Sequence, residues 1–337
     1  MKRVVALFAV LALLTGSAAY FLPRAEQALA LRLAADDPVR LAELRLAMTL
    51  NAAAVAREIE AALAADDPEL AESFVALADQ RGIALDPALR ERVTAAGSAR
   101  EQIRRYASNF GKGFVTGKAG DLAGIAGAAT GDLFVYGDVR DLVREGTHWL
   151  KGQEVDPLMA GLASVGLAVT AGTYFASGAG APARAGVTLF KTARRTGKIG
   201  VNLAADMTRI VRSGRGGRAV AALADVGRIE AKAGARVAME GMKHADDVAD
   251  LAKVGKLAER NGSTTLAILK TLGRGAIAIG AGAVTGALWI MCAATNIFLL
   301  VLTLSTLFAV LVRWLWRAGR LAFRGGRYVA QSLAATA

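Results

Sequence analysis

Asp138, Asp141, Glu145 and His148 fall at offsets of 3, 4 and 3, which align them along one face of a helix. Three carboxylates and an imidazole so placed suit a divalent cation, or an acid–base pair that moves a proton. Their neighbours offer a plainer use. Asp138 with Arg140, and Asp141 with Arg144, make ordinary caps and surface pairs. The plainer use is the expectation, so no catalytic, metal or cofactor role is assigned to the four.

Other spacings that carry chemistry fail on detail. Gly113-Phe114-Val115-Thr116-Gly117-Lys118-Ala119 is one residue short of a phosphate loop, and no Ser or Thr follows Lys118. Gly280-Ala281-Gly282 sits in an apolar run with Gly286, where helix packing explains it better than a dinucleotide. Ser164, between Gly161 and Gly166, is one residue out of register for a nucleophile elbow. His244 precedes Asp246 and Asp247 and is expected to help cap a helix start. Cys292 is the single cysteine, which excludes an intrachain disulfide or a thiolate metal site. An enzyme is not expected.

Six glycines, Gly113, Gly117, Gly120, Gly124, Gly127 and Gly131, recur at spacings of 4, 3, 4, 3 and 4, the a and d places of a heptad. Each mid-helix glycine costs about 1 kcal/mol against alanine. Close backbone contact with a second helix offsets that loss. The small-residue face Ala160, Ser164, Ala168, Gly172 and Ala176 is the expected mate. The alternative is a glycine zipper that lines a pore. Against it, Lys118, Asp121 and Asp132 leave too short an apolar stretch to cross a bilayer alone.

The elements that position these residues are set by apolar segments. Gly275–Val312 runs 38 residues without a charged side chain, between Arg274 and Arg313. As helix it would be roughly 57 Å long, against a hydrocarbon core of about 30 Å. A hairpin of two antiparallel spans is therefore expected over 276–316, reversing near Thr295 and Asn296. At the other end, Lys2 and Arg3 precede the uncharged stretch Val4–Leu22, which reads as a signal peptide cut after Ala19 or as an uncleaved anchor. Pro157–Ala183 is also uncharged, and a third span is expected at 158–182. A composition of 54% hydrophobic residues, with mean hydropathy +0.38, agrees with a membrane protein.

Charge then suggests sidedness. Residues 24–157 hold 16 basic and 21 acidic side chains, whereas 183–275 hold 18 and 8, and 313–337 carry five arginines and no acid. Basic flanks favour the inner side. The expected order is 1–23 as signal or anchor, 24–110 as a helical bundle outside, and 111–157 as the glycine stripe and polar cluster. A span at 158–182 follows, then 183–275 inside, the hairpin at 276–316 and a basic tail at 317–337.

The outer bundle is well punctuated. Leu33-Ala34-Ala35-Asp36-Asp37-Pro38 recurs as Leu63-Ala64-Ala65-Asp66-Asp67-Pro68, and Asp86-Pro87 repeats the device of a capping Asp before a first-turn Pro. Two copies do not make a solenoid. A protein partner, or a second copy, is expected to use this bundle. In 183–275, Val248, Leu251, Val254 and Leu257 alternate with Lys253, Lys256 and Arg260, as in basic helices that lie on an anionic inner leaflet. Nucleic acid is disfavoured, because Phe190 is the region's single aromatic and offers no stacking platform.

The fold class is all-α: an integral membrane protein with an N-terminal signal or anchor, glycine-zipper-like packing and a C-terminal hydrophobic hairpin. Over about 183–316, the layout of basic amphipathic helices leading to a charge-free hairpin resembles that of pore-forming colicins. That likeness carries no motif residues, and the N-terminal anchor departs from it. The expected role is a scaffold or interaction protein of a bacterial inner membrane. Pore formation, as the resemblance implies, is the alternative, and a membrane-embedded enzyme or ion transporter comes third.

Overall fold

The computed structural model describes residues 2–98, 143, 147, 157–175, 181–280 and 282–334, excepting the side chains of 2, 3, 157, 170–175 and 321–334. Among the described residues every regular element is a helix. The chain divides into two compact units, Ala34–Ala278 and the pair of terminal segments Met1–Leu33 and Ile279–Ala337.

Ala34–Ala278 opens with α2 (Pro38–Thr49), α3 (Ala52–Ala64), α4 (Pro68–Gln80) and α5 (Pro87–Ala96). Their starts follow the sequence. The Asp37 carboxylate accepts from the Val39 N–H at 3.0 Å, Asp67 from Leu70 at 3.0 Å and Asp86 from Ala88 at 3.0 Å, each ahead of a proline. Val55 and Ile59 of α3 and Leu70, Phe74 and Leu77 of α4 are buried, as the helical spacing requires. Ala52, one turn before Val55, is exposed.

The unit continues with α6 (Pro157–Phe175), α7 (Ala181–Arg195), α8 (Val201–Arg212), α9 (Gly216–Ala233), α10 (Ala235–His244), α11 (Val248–Asn261) and α12 (Thr265–Leu272). Phe74, Phe190, Leu203, Leu223 and Leu257 belong to one buried cluster with the residues of α3 and α4. This corrects the expected sidedness, because a bilayer cannot lie between segments that share a core. Ser73 makes the point in one bond pair. Its hydroxyl donates to the Ser263 carbonyl at 2.8 Å and accepts from the Ala267 N–H at 2.9 Å, so α4 caps the start of α12 from far along the chain.

Two further expectations change with it. Val248, Leu251, Val254 and Leu257 are buried in this core, so the amphipathic pattern of α11 is real but other helices, rather than a leaflet, cover its apolar face. In α6, Leu158, Leu162 and Ala163 are buried, and Gly161 lies against Val211 of α8. The described part of that expected span is thus a core helix, and Ser164 and Ala168 of its small-residue face are exposed.

The other unit holds α1 (Lys2–Leu33) and α13 (Gly282–Ala334). The expected hairpin is not formed: α13 is one helix of 53 residues that passes straight through Thr295 and Asn296. Thr295 returns its hydroxyl to the Met291 carbonyl at 2.9 Å and Thr303 to Leu299 at 2.8 Å, so the polar residues stay inside the helix geometry without a turn. Likewise α1 continues past Pro23. Pro23 has no N–H to give, and beside that gap the Arg24 guanidinium donates to the Tyr20 carbonyl at 2.8 Å.

Candidate functional site

The helices α1 and α13 pair with each other. A Cβ placed on Gly286 would lie 3.3 Å from the Ala28 Cβ, the Trp289 ring stands 5.9 Å from Tyr20 and 6.1 Å from Phe21, and the Asn296 amide donates to the Ser17 hydroxyl at 2.6 Å. Positions fall along α1 as they rise along α13, so the pair is antiparallel. The covered positions repeat at alternating steps of three and four. On α1 they run through Leu7, Leu11, Leu14, Ala18, Phe21, Ala25 and Ala28, with Ser17, Ala30 and Leu31 also half-covered; on α13 they run through Gly286, Trp289, Ala293, Asn296, Leu300, Thr303, Leu307 and Val310, with Ile290 and Ala309 beside them. That is the seam of a two-stranded coiled coil.

Outside the seam the pair is apolar and open. Only 6% of the most apolar stretch of α1, and 11% of that of α13, is buried. Phe8, Leu13, Phe298, Val301 and Phe308 are all exposed. By length and composition, α1 over Val4–Leu33 and α13 over Gly282–Arg320 are each sufficient to cross a membrane.

Each end of the apolar band carries rings and cations. At one, the Arg24 guanidinium lies 3.7 Å from the Tyr20 ring centroid and 5.5 Å from that of Trp289. At the other, Trp314 and Trp316 are exposed, and the Arg320 guanidinium lies 5.1 Å from the Trp316 ring centroid. Inside the seam, Asn296 is 6% exposed and its carbonyl oxygen has no hydrogen-bond partner, so the amide is a polar pin that sacrifices stability for register.

Polar side chains also gather in Ala34–Ala278. His244 and Glu240 of α10 meet at 3.0 Å, and Lys243 donates to Glu240 at 3.0 Å. The hydrogen bond from His244, and then that from Lys243, holds the Glu240 carboxyl down at about 2 in spite of burial. Nearby, burial pushes the Asp250 carboxyl up, against the bond from Lys253 at 3.2 Å. Arg274 pairs with Asp246, and Asn202 donates to Asp246 at 3.1 Å. Arg45 donates to the carbonyls of Gly275 and Ala278, the latter at 3.0 Å, and burial lowers its pKa. Through Arg45, Asn202, Asp246 and Arg274 these bonds tie α2, α8 and the α10–α11 connection to the 273–278 segment. Among the described residues, no three His, Cys, Asp or Glu side chains are placed to hold a metal ion.

Asp138, Asp141, Glu145 and His148 lie outside the described residues, as do Gly113, Gly117, Gly120, Gly124, Gly127 and Gly131. His244 ends α10, and Asp247 is the cap of α11, accepting from the Asp250 N–H at 2.8 Å. Gly286, expected to serve helix packing, lies at the α1/α13 contact, whereas the two tightest glycine-to-backbone crossings of Ala34–Ala278 are at residues the sequence did not single out. A Cβ on Gly186 of α7 would lie 1.8 Å from the Leu223 carbonyl oxygen, and one on Gly227 of α9 would lie 1.9 Å from that of Pro182. An isolated glycine in an amphipathic helix has no periodicity to announce it. No family model, curated protein or solved structure matches the chain.

Proposed function

We propose that this chain is a two-span membrane anchor, α1 with α13, carrying a helical body that serves as a scaffold or interaction domain at a bacterial inner membrane. The exposed apolar band on an antiparallel pair carries the reading. From Arg3 to Arg24 a helix rises about 30 Å, and from Trp289 to Arg313 about 36 Å, close to the thickness of a hydrocarbon core with modest tilt. Tyr20, Trp289, Trp314 and Trp316 fall at the two levels where such rings are favoured.

Basic flanks favour the inner side for Lys2, Arg3 and Arg313. Two antiparallel crossings then put residues 34–278 outside, including the basic stretch 183–275, since long domains translocate largely regardless of charge. A cut after Ala19 would remove the seam from Leu7 to Ala18, so α1 is read as an uncleaved anchor. The outer body is the part that meets a protein partner or a second copy. The likeness to pore-forming colicins rested on a charge-free hairpin, which α13, a single helix, does not form.

Cross-linking tests the pair. With Cys292 replaced by Ala, Ala28→Cys and Gly286→Cys place their Cβ atoms near 3.3 Å, within reach of a disulfide. In isolated membranes the bond is expected to form within one chain, and the protein to resist alkaline extraction. Release by alkali, or no cross-link under oxidation, contradicts the anchor.

A further inference from the structure

We infer that the end of the α1/α13 pair bearing Arg313, Arg317 and Arg320 binds the headgroup of an anionic phospholipid, a site that rests on the membrane-anchor reading. The register set by Ala28 against Gly286 and Ser17 against Asn296, carried on, brings positions 2 and 3 level with Leu311 and Val312, next to Arg313. Beside them Arg313, Arg317 and Arg320 gather three cations within about two helical turns. Along the sequence, α1 has no acidic residue before Glu26 and the chain has none after Glu259.

On α13, Arg313, Arg317 and Arg320 are all exposed and stand one turn apart, so their like charges repel along one face. A phosphate between them removes that repulsion and accepts the forked donors of guanidinium. The occupant must also explain what surrounds the cations. Trp314 and Trp316 are 66% and 65% exposed, and the open apolar face with Phe308 runs directly up to them. A nucleic acid or an acidic peptide would neutralise the arginines and leave that face bare. A phospholipid covers both, with its phosphate on the arginines and its chains along the helices. The anionic contact thus belongs here, and not to the helices of 183–275, whose apolar faces are buried.

The test uses the full chain in phosphatidylcholine vesicles containing a minority of brominated phosphatidylglycerol or, separately, brominated phosphatidylcholine, read by quenching of tryptophan fluorescence. Wild type is expected to favour the anionic lipid roughly tenfold, and Arg313→Gln, Arg317→Gln and Arg320→Gln together to bring the ratio near one. Alkaline extraction checks insertion in both. Wild type that fails to insert refutes the anchor itself. Inserted wild type with equal quenching by the two lipids overturns the site, as does a preference that survives in the triple variant. Loss of the preference on adding inorganic phosphate or a single-stranded oligonucleotide would assign the cations to a soluble anion and also overturn it.

Discussion

Gly186→Ala adds one methyl group where α7 meets the backbone of α9, and that methyl has nowhere to go. Built on the existing backbone, its Cβ lies 1.8 Å from the Leu223 carbonyl oxygen, whereas real Cβ atoms essentially never come within 3.0 Å of a neighbour. The helices must part by more than about 1 Å, and the obstacle is backbone, which cannot swing aside as a side chain would. Overpacking of this kind costs about 1–3 kcal/mol, occasionally more. The gain in helix propensity from glycine to alanine is about 1 kcal/mol. The net expectation is a loss of up to about 2 kcal/mol, or up to roughly 4–8 °C in melting temperature for a unit of this size. Gly217→Ala on the same α9 supplies the control, since nothing lies within 4 Å of its Cβ. It should leave stability unchanged or raise it by up to about 1 kcal/mol. Gly227→Ala should resemble Gly186→Ala, and the double variant should lose less than the sum, because one separation of α7 from α9 relieves both clashes. Thermal melts by circular dichroism on the full chain in detergent read all four. A Gly186→Ala protein that melts at or above wild type would refute the close crossing.

Three other outcomes are expected. Ser73→Ala leaves the Ala267 N–H and the Ser263 carbonyl without their bonds and should cost about 1–3 kcal/mol in urea unfolding, while an unchanged midpoint would remove α4 as the cap of α12. The bonds from His244 and Lys243 hold the Glu240 carboxyl at about 2, below its ordinary 4.5, so its contribution is complete above about 4.5 and is lost as pH falls towards 2. Glu240→Gln should therefore be less stable than wild type at neutral pH, with the gap closing on acidification; a gap that widens instead refutes the assignment. Asn296→Leu removes the polar pin of the seam, and cysteines placed one heptad out of register should then cross-link more readily than in wild type, an effect whose absence would leave register to the apolar residues alone.

Capped helices were legible because their signals are local. Asp37-Pro38, Asp67-Pro68 and Asp86-Pro87 need only the next turn of backbone to act, and each acts as its spacing implies. Helical periodicity likewise marks the buried face of α11, yet it cannot say what covers an apolar face. Val248 and Leu251 have the same pattern whether lipid or the other helices of a core cover them, so the pattern alone sets no sidedness. The seam of α1 and α13 was hidden differently. In a stretch where nearly every residue is apolar, a heptad of Leu, Ala and Phe does not stand out from its surroundings, and length alone suggested a hairpin within 276–316. Ser17 and Asn296 are its visible trace, but two polar residues so far apart reveal a partnership only once the helices are placed side by side. Gly186, Gly227 and Ser73 act through partners distant in sequence and leave no local mark.

Sidedness tests the central claim most directly. With Cys292 replaced by Ala, single cysteines at the exposed positions Thr94, Thr196 and Gly319 are treated in intact cells with a reagent that cannot cross the inner membrane. An anchor of α1 and α13 predicts labelling of Thr94→Cys and Thr196→Cys alike, with Gly319→Cys reacting only after the membrane is opened. Labelling of Thr94→Cys but not Thr196→Cys, or of Gly319→Cys together with both, would contradict it.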